Sequence, residues 1–270
     1  MATLLQIAHL PRSSYYYHVA RLPRSEKHIP ERQAIRQICA EHKGRYGYRR
    51  VTLTLHQRGY STNHKLVLKL MREEHLSCVL RPKKYRSYQG EIGKVAPNRL
   101  NRQFRTETPN TKWTTDITQF NVHGQKLYLS PILDLFNGEI ISYSVSQAPE
   151  FHLVMQMLQQ ALQKVPGPHS LMIHSDQGWQ YQMKAYQRLL EEKGILQSMS
   201  RKGNCYDNSV MENFFGVLKT EFFYNQSFAS VEKFLEELDE YIEYYNNERI
   251  KVKLKGLSPI QFRTQSFVSP

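Results

Sequence analysis

Three carboxylates of this 270-residue chain, one in a predicted strand, one at a strand end and one early on a helix, are candidates for a single site. Asp116 lies in Lys-Trp-Thr-Thr-Asp-Ile-Thr-Gln-Phe, residues 112–120, a β-branched and aromatic stretch that predicts a strand, where aspartate is depleted. A buried, unpaired carboxylate there costs several kcal/mol unless something holds it. Asp176 ends the apolar run 170–174 at Ser-Asp-Gln-Gly, and ligands of open α/β sheets gather at such strand ends. Glu212 falls early on a helix whose start is marked by Gly203 and by the cap-forming Asp207, Asn208 and Ser209. On that helix Val210, Phe214, Val217, Leu218 and Phe222 make an apolar side. Glu212, Gly216 and Lys219 fall on another side, because residues three, four or seven apart stack on one face. If the three acids converge, they form a hard, oxygen-only pocket suited to Mg²⁺ or Mn²⁺ and not to zinc. Two such ions can activate an attacking oxygen and stabilise the leaving oxygen of a phosphodiester. Lys219, about two turns beyond Glu212, is placed to hold an incoming strand.

Each acid also has a structural reading. Ser209-x-x-Glu212 matches a capping box, in which the glutamate reaches back to the helix start. Asp116 can be satisfied by a neighbouring threonine, and Asp176 can be an ordinary turn aspartate.

The surrounding pattern predicts what must position these residues. Strands over 112–120, 126–134 and 139–145 are joined by turns at His123-Gly124 and Asn137-Gly138. A helix over 151–164 follows, then a buried strand over 170–174, a helix over 183–193 and a strand near 195–198. Three antiparallel strands followed by α, β, α, β and helices is an α/β mixed-sheet layout like that of ribonuclease H.

Charge separates the front of the chain from the back. Net charge is +13, but residues 1–105 hold 22 Lys and Arg against 6 Asp and Glu, leaving 15 basic and 18 acidic residues for 106–270. The front therefore suits a polyanion, nucleic acid first of all. Two short helices are expected on either side of Pro11. Residues 31–80 read as compact helices with a helix, glycine turn, helix arrangement like a helix-turn-helix. In that reading His64, Lys65 and Lys69 face the major groove, and Arg45, Arg49 and Arg50 contact phosphates. A helical bundle with a basic solvated side is the alternative. Residues 81–108 read as a basic linker able to track a phosphate backbone. Domain expectations are 1–80 helical and DNA-binding, 81–108 linker, 109–225 catalytic and 226–270 a helical tail. Cys39, Cys78 and Cys205 are isolated and odd in number, which argues against a disulfide framework or structural zinc and for reduced thiols in a cytoplasm. No apolar run approaches the roughly 18 residues of a membrane span.

The motifs together resemble a known family. Trp113-x-x-Asp116-Ile117-Thr118, His174-Ser175-Asp176-Gln177-Gly178 and the run from Ser200 through Asp207-Asn208-x-x-x-Glu212-x-Phe214-Phe215 look like the Asp-Asp-Glu transposases of the retroviral-integrase superfamily. They are most like the second-frame product of the insertion-sequence-three family. Tyr245-Asn246-x-x-Arg249 and Leu257-Ser258-Pro259 are similar to its C-terminal segment, and Gly44-Arg45-Tyr46-Gly47-Tyr48-Arg49-Arg50 resembles its helix-turn-helix. The resemblance implies a ribonuclease-H-like catalytic domain with Asp116, Asp176 and Glu212 as metal-binding catalytic residues and Lys219 as the basic residue following the glutamate. It implies nicking at transposon ends, attack of a 3′-hydroxyl on another phosphodiester, and DNA as partner. It also implies a homo-oligomer on DNA, a first-frame protein as a further partner, and a bacterial, nucleoid-associated location. Trp179 departs from the small residue usual after Asp-Gln-Gly. A purely hydrolytic nuclease and a non-catalytic DNA-binding regulator are the alternatives.

Overall fold

The computed structural model describes residues 5, 7–8, 11–21, 27–78, 95–165, 170–224 and 226–268. The chain divides into two compact units, Met1–Cys78 and Val79–Pro270.

The first unit is helical: α1 (Arg12–Arg21), α2 (Ile29–Glu41), α3 (Tyr48–Gln57) and α4 (His64–Glu73). The helix expected before Pro11 lies largely outside the described residues. Ala34, Ile35 and Ile38 of α2, Val51 and Leu55 of α3, and Val67, Leu70 and Met71 of α4 are buried at helical spacing, so three amphipathic helices share one core. Asn63 caps α4, its side chain accepting from Lys65 N at 2.9 Å. Arg32 ties α2 to the end of α4 through Glu74 at 2.8 Å and through Glu73. Cys39 and Cys78 are free thiols.

The second unit is built on a mixed sheet of β1 (Lys112–Thr115), β2 (Thr118–Val122), β3 (Gln125–Asp134), β4 (Ile140–Ser146), β5 (Met172–Ser175) and β6 (Leu196–Met199). β3 pairs antiparallel with β4 on one side and with β1 and β2 on the other; β1 then pairs parallel with β5, and β5 with β6. Strand periodicity sends alternate side chains to opposite faces. Trp113, Ile132 and Ile173 pack against α5 (Phe151–Lys164) and α6 (Lys184–Glu192). On the other face Phe120, Leu127, Leu129 and Leu133 pack against α7 (Ser209–Leu218) and α8 (Val231–Asn247). α9 (Pro259–Val268) closes the chain. The helix over 151–164 has the expected bounds; the strand expected over 112–120 is two strands.

That interruption has a cause in the partner strand. Thr115 faces Ile132 and Thr118 faces Leu129, three residues on in one strand and three back in the other, so one register runs through both pieces. On it Asp116 stands opposite Pro131. Leu135 N donates to Lys112 O at 2.9 Å, and ladder alternation then aims the nitrogens of residues 133 and 131 at the same neighbour. Proline has no N–H to give, so the ladder lapses at Asp116. Asp116 therefore follows a strand and does not lie inside one, the position in which a carboxylate can turn outward.

The segment before the sheet also belongs to this unit. Arg81–Gly90 lies outside the described residues, but Leu100 is buried, and Arg99 N and Leu100 N donate to Ser198 Oγ at 2.9 and 3.1 Å. At the other end, Asn246 accepts from Ile140 N and donates to Ile140 O, both at 2.9 Å, so α8 completes the backbone bonding of β4. Among the described residues no helix is long and apolar enough to cross a membrane.

Candidate active site

Asp116 and Asp176 occupy equivalent places on neighbouring strands. β1 and β5 are parallel with Lys112 opposite Met172, Trp113 opposite Ile173 and Thr114 opposite His174. Continued by two residues, that register sets Asp116 beside Asp176, each just past its strand end. Adjacent strands run about 4.8 Å apart, so two acids share one sheet edge. Each spends one oxygen on a backbone N–H. Ile117 N donates to Asp116 Oδ1 at 2.7 Å, and Gly178 N donates to Asp176 Oδ1 at 2.9 Å.

The glycine at 178 is explained by space. A Cβ there would stand 2.9 Å from Asp176 Oδ1 and 3.2 Å from both Gln180 Oε1 and the Tyr181 ring. A side chain would push the carboxylate from its place, whereas the backbone, with φ near −56°, suits any residue.

The charges of Glu212 and Lys219 both act on Asp116. Burial raises the Asp116 carboxyl well above the ordinary aspartate range, and the charges of Asp176 and then Glu212 push it further up; Ile117 N–H and Lys219 oppose them. Burial likewise raises Asp176, opposed by the Gly178 N–H. Lys219 is half-buried and lowered by desolvation, with Asp116 restoring part of the loss, and its Nζ lies 5.4 Å from the Phe120 ring centroid. Tyr181, buried between Asp176, Asp116 and Thr115, is raised by burial first and by both aspartates next. Like charges gathered without a counter-ion are unfavourable, and an oxygen-donor cation relieves that repulsion. The donor chemistry thus fits a hard divalent ion. As the side chains stand, no group of three His, Cys, Asp or Glu among the described residues is closed around a common point.

The start of α7 is fixed by side chains, though not by the expected box. Ser209 is already helical (φ −59°, ψ −23°), and Asn208 at the cap position makes no side-chain cap bond. Asn208 reaches across to the sheet instead: Thr114 Oγ1 donates to its Oδ1 at 2.6 Å, and its Nδ2 donates to Thr115 O at 3.3 Å. The strand that delivers Asp116 is thereby pinned to the helix that delivers Glu212. Asp207 is wholly buried, and Arg201, aided by Arg102, holds its carboxyl well below the usual range. Beneath it, burial lowers His174 to about 4, so the imidazole is neutral at pH 7. Sequence patterns marked Asp207 and Asn208 as cap residues and as part of the family motif, without their partners. Apart from Arg201, those partners, Asn98, Arg102, Thr114 and Thr115, are distant in sequence, so no local signal revealed them.

After Leu218 the helix widens into a π turn, Lys219–Phe223. Glu221 there accepts from Arg249 Nε at 2.7 Å and Arg249 Nη2 at 2.6 Å, a buried bidentate pair joined by Tyr241 Oη at 3.1 Å. The Tyr245-Asn246-x-x-Arg249 motif therefore anchors the far end of the Glu212 helix and the sheet edge.

In the helical unit, His64, Lys65 and Lys69 are exposed on α4, away from Val67, Leu70 and Met71. Arg49 is exposed, with its guanidinium over the Tyr48 ring at 5.7 Å. Arg45 and Arg50 are half-buried; Arg50 donates to Arg45 O at 3.2 Å and stacks on Tyr46 at 5.5 Å.

Comparison with known proteins agrees with this layout. Residues 106–205 and 212–267 match integrase core domain families, and residues 28–85 match the HTH-like domain family. The chain is 51% identical over 265 residues to a protein of Escherichia coli strain K12 named as the transposase InsK of insertion sequence element IS150, covering 98% of this chain and 94% of that one. It is 34% identical over 277 residues to the transposase InsF of insertion sequence IS3A from the same organism, covering 98% and 93%. The cryo-EM structure of the simian T-cell lymphotropic virus intasome in complex with PP2A regulatory subunit B56 gamma shares the fold, with a TM-score of 0.51 at 18% identity, over 88% of this chain and 75% of that one.

Proposed function

Since the chain belongs to the insertion-sequence-three family of DDE transposases, polynucleotidyl transferases with an integrase core, we propose that Asp116, Asp176 and Glu212 are its catalytic residues. They cleave a strand at each transposon end and join the freed 3′-hydroxyl to another phosphodiester. The observation that carries this reading is the β1–β5 register, which sets Asp116 beside Asp176 with the charge of Glu212 felt at Asp116.

Mg²⁺ or Mn²⁺, as two ions, would be held by the carboxylates of the two aspartates and of Glu212, supplying Lewis-acid stabilisation of the attacking and leaving oxygens. The protein's own groups do the rest. The Ile117 and Gly178 N–H groups hold the two aspartates in fixed rotamers. The buried Tyr181 walls the floor of the site. Lys219 is the cation beside Asp116 and engages a DNA phosphate, where its partial desolvation strengthens the contact. His64, Lys65 and Lys69 read the major groove at the element's end, while Arg45, Arg49 and Arg50 contact phosphates. Two or more copies assemble on paired ends in the bacterial cytoplasm, at the nucleoid, with a first-frame protein as a further partner. Residues 1–80 serve as the DNA-binding domain, 81–108 as the linker, whose part at 98–102 is docked on the catalytic unit, 109–225 as the catalytic domain and 226–270 as the tail bracing it.

The test is a strand-transfer assay with Mg²⁺ and pre-cleaved ends. Joined product is expected from the native chain and none from Asp116→Asn, Asp176→Asn or Glu212→Gln. Joining by any of these variants at the native rate would remove that residue from the centre.

A further inference from the structure

Asp207 accepts five hydrogen bonds, and nothing in the reaction uses it. Its Oδ1 accepts from Arg102 Nε and Arg201 Nη2, both at 2.9 Å. Its Oδ2 accepts from Arg201 Nε at 2.8 Å, Asn98 Nδ2 at 2.9 Å and Arg201 N at 3.1 Å. The carboxylate is 0% exposed while the arginine side chains are 47% and 53% exposed, so two surface cations reach inward to one buried anion. A fold has cheaper ways to fill such a space, because a buried ion pair is often no more stable than an apolar replacement. What the cluster does achieve is placement. It joins three segments: residues 98–102 before the sheet, the loop after β6, and the turn into α7. The next residue, Asn208, is bonded to Thr114 and Thr115, directly before Asp116. Five residues after Asp207 comes Glu212.

We infer that Asp207 is a positioning residue, which, clamped by Arg201 and Arg102, fixes the turn that starts the Glu212 helix and so sets where Glu212 stands relative to Asp116 and Asp176. This rests on the catalytic reading of the three carboxylates. The clamp is needed because the helix carries its carboxylate on a single first turn, and catalytic geometry tolerates displacements of only about 0.5 Å. Arg102 also donates to Asn204 Oδ1 at 3.2 Å and lies over the Tyr206 ring at 5.8 Å, so the whole turn 204–207 is held as one piece.

The test uses the full chain and Mn²⁺. Free Mn²⁺ is counted by electron paramagnetic resonance, and nicking of a supercoiled plasmid is followed over the same Mn²⁺ range. Asp207→Asn is expected to raise the Mn²⁺ half-saturation about tenfold in both readouts, with nicking recovering at high Mn²⁺, as for residues that orient metal ligands. Arg201→Lys and Arg102→Ala should shift it the same way by less. A merely structural role would lower the melting temperature and leave the half-saturation alone. A folded Asp207→Asn with native half-saturation overturns the inference; if that variant does not fold, native half-saturation in Arg102→Ala and Arg201→Lys overturns it. Asp116→Asn is the control for the underlying reading. If it binds Mn²⁺ and nicks as the native chain does, the catalytic assignment fails separately, whatever Asp207→Asn shows.

Discussion

Thr114 Oγ1 donates a 2.6 Å hydrogen bond to Asn208 Oδ1, joining residues two before Asp116 and four before Glu212. Thr114 lies in β1, which leads directly into Asp116, so the bond ties that strand end to the start of the Glu212 helix. Thr114→Val and Asn208→Ala should each cost about 1–3 kcal/mol, because each leaves a buried polar partner unsatisfied. The double variant should cost less than the sum of the two. Urea unfolding of the four proteins of that cycle measures the coupling.

Metal-free stability should depend on pH through Asp116. Its folded pKa is raised above the ordinary value of 3.8, chiefly by burial and then by Asp176. The folded state therefore binds the proton more tightly than the unfolded state does. Stability is fully present below the ordinary value and declines as pH climbs from there through the raised folded pKa. Between pH 4 and 8 without divalent metal, the melting temperature of the native chain should fall relative to that of Asp116→Asn, a comparison that cancels the opposite contribution of buried His174, and Mg²⁺ should shrink the difference. A native-to-variant difference that stays constant across this range would contradict the crowding of like charges.

Lys219→Ala should weaken binding of transposon-end DNA and strand transfer while leaving the fold intact. Loss of a phosphate contact lowers the slope of log affinity against log salt by about 1. Native end binding and joining in this variant would remove Lys219 from the DNA path.

The exposed side of α4 gives a separate prediction. Lys65→Ala and Lys69→Ala should each reduce DNA affinity and the salt slope by about 1, with melting temperature unchanged, since neither side chain is in the core. His64→Ala should alter sequence preference more than salt dependence. Fluorescence anisotropy across salt concentrations distinguishes the two effects.

Arg249→Ala should be among the most damaging changes outside the site. It strands the buried Glu221 carboxylate, and breaking such a pair costs about 3–5 kcal/mol. Replacing both with apolar residues, Arg249→Met with Glu221→Leu, should recover most of that loss. Chemical denaturation of the single and double variants checks it, and equal losses in both would argue that the charges themselves are required.

Much of the molecule was legible from residue order because the signals were local. The apolar spacing of Phe151–Lys164 specified that helix with its observed bounds, and the turn at Asn137-Gly138 uses a glycine at φ of +72°. Asp116 stood out as an acid in a β-branched stretch, whereas Asp176 and Glu212 also fitted a turn and a helix cap and were singled out by the family motif. Tertiary structure alone decided how they are held. The break at Asp116 depends on Pro131 lying opposite, which is a matter of pairing register. Asp207 draws donors from Asn98 and Arg102, and Glu221 draws Arg249, across separations that periodicity does not encode. A buried charge is stabilised by whatever the folded chain brings to it, so its partners exist only once the sheet and its helices have closed.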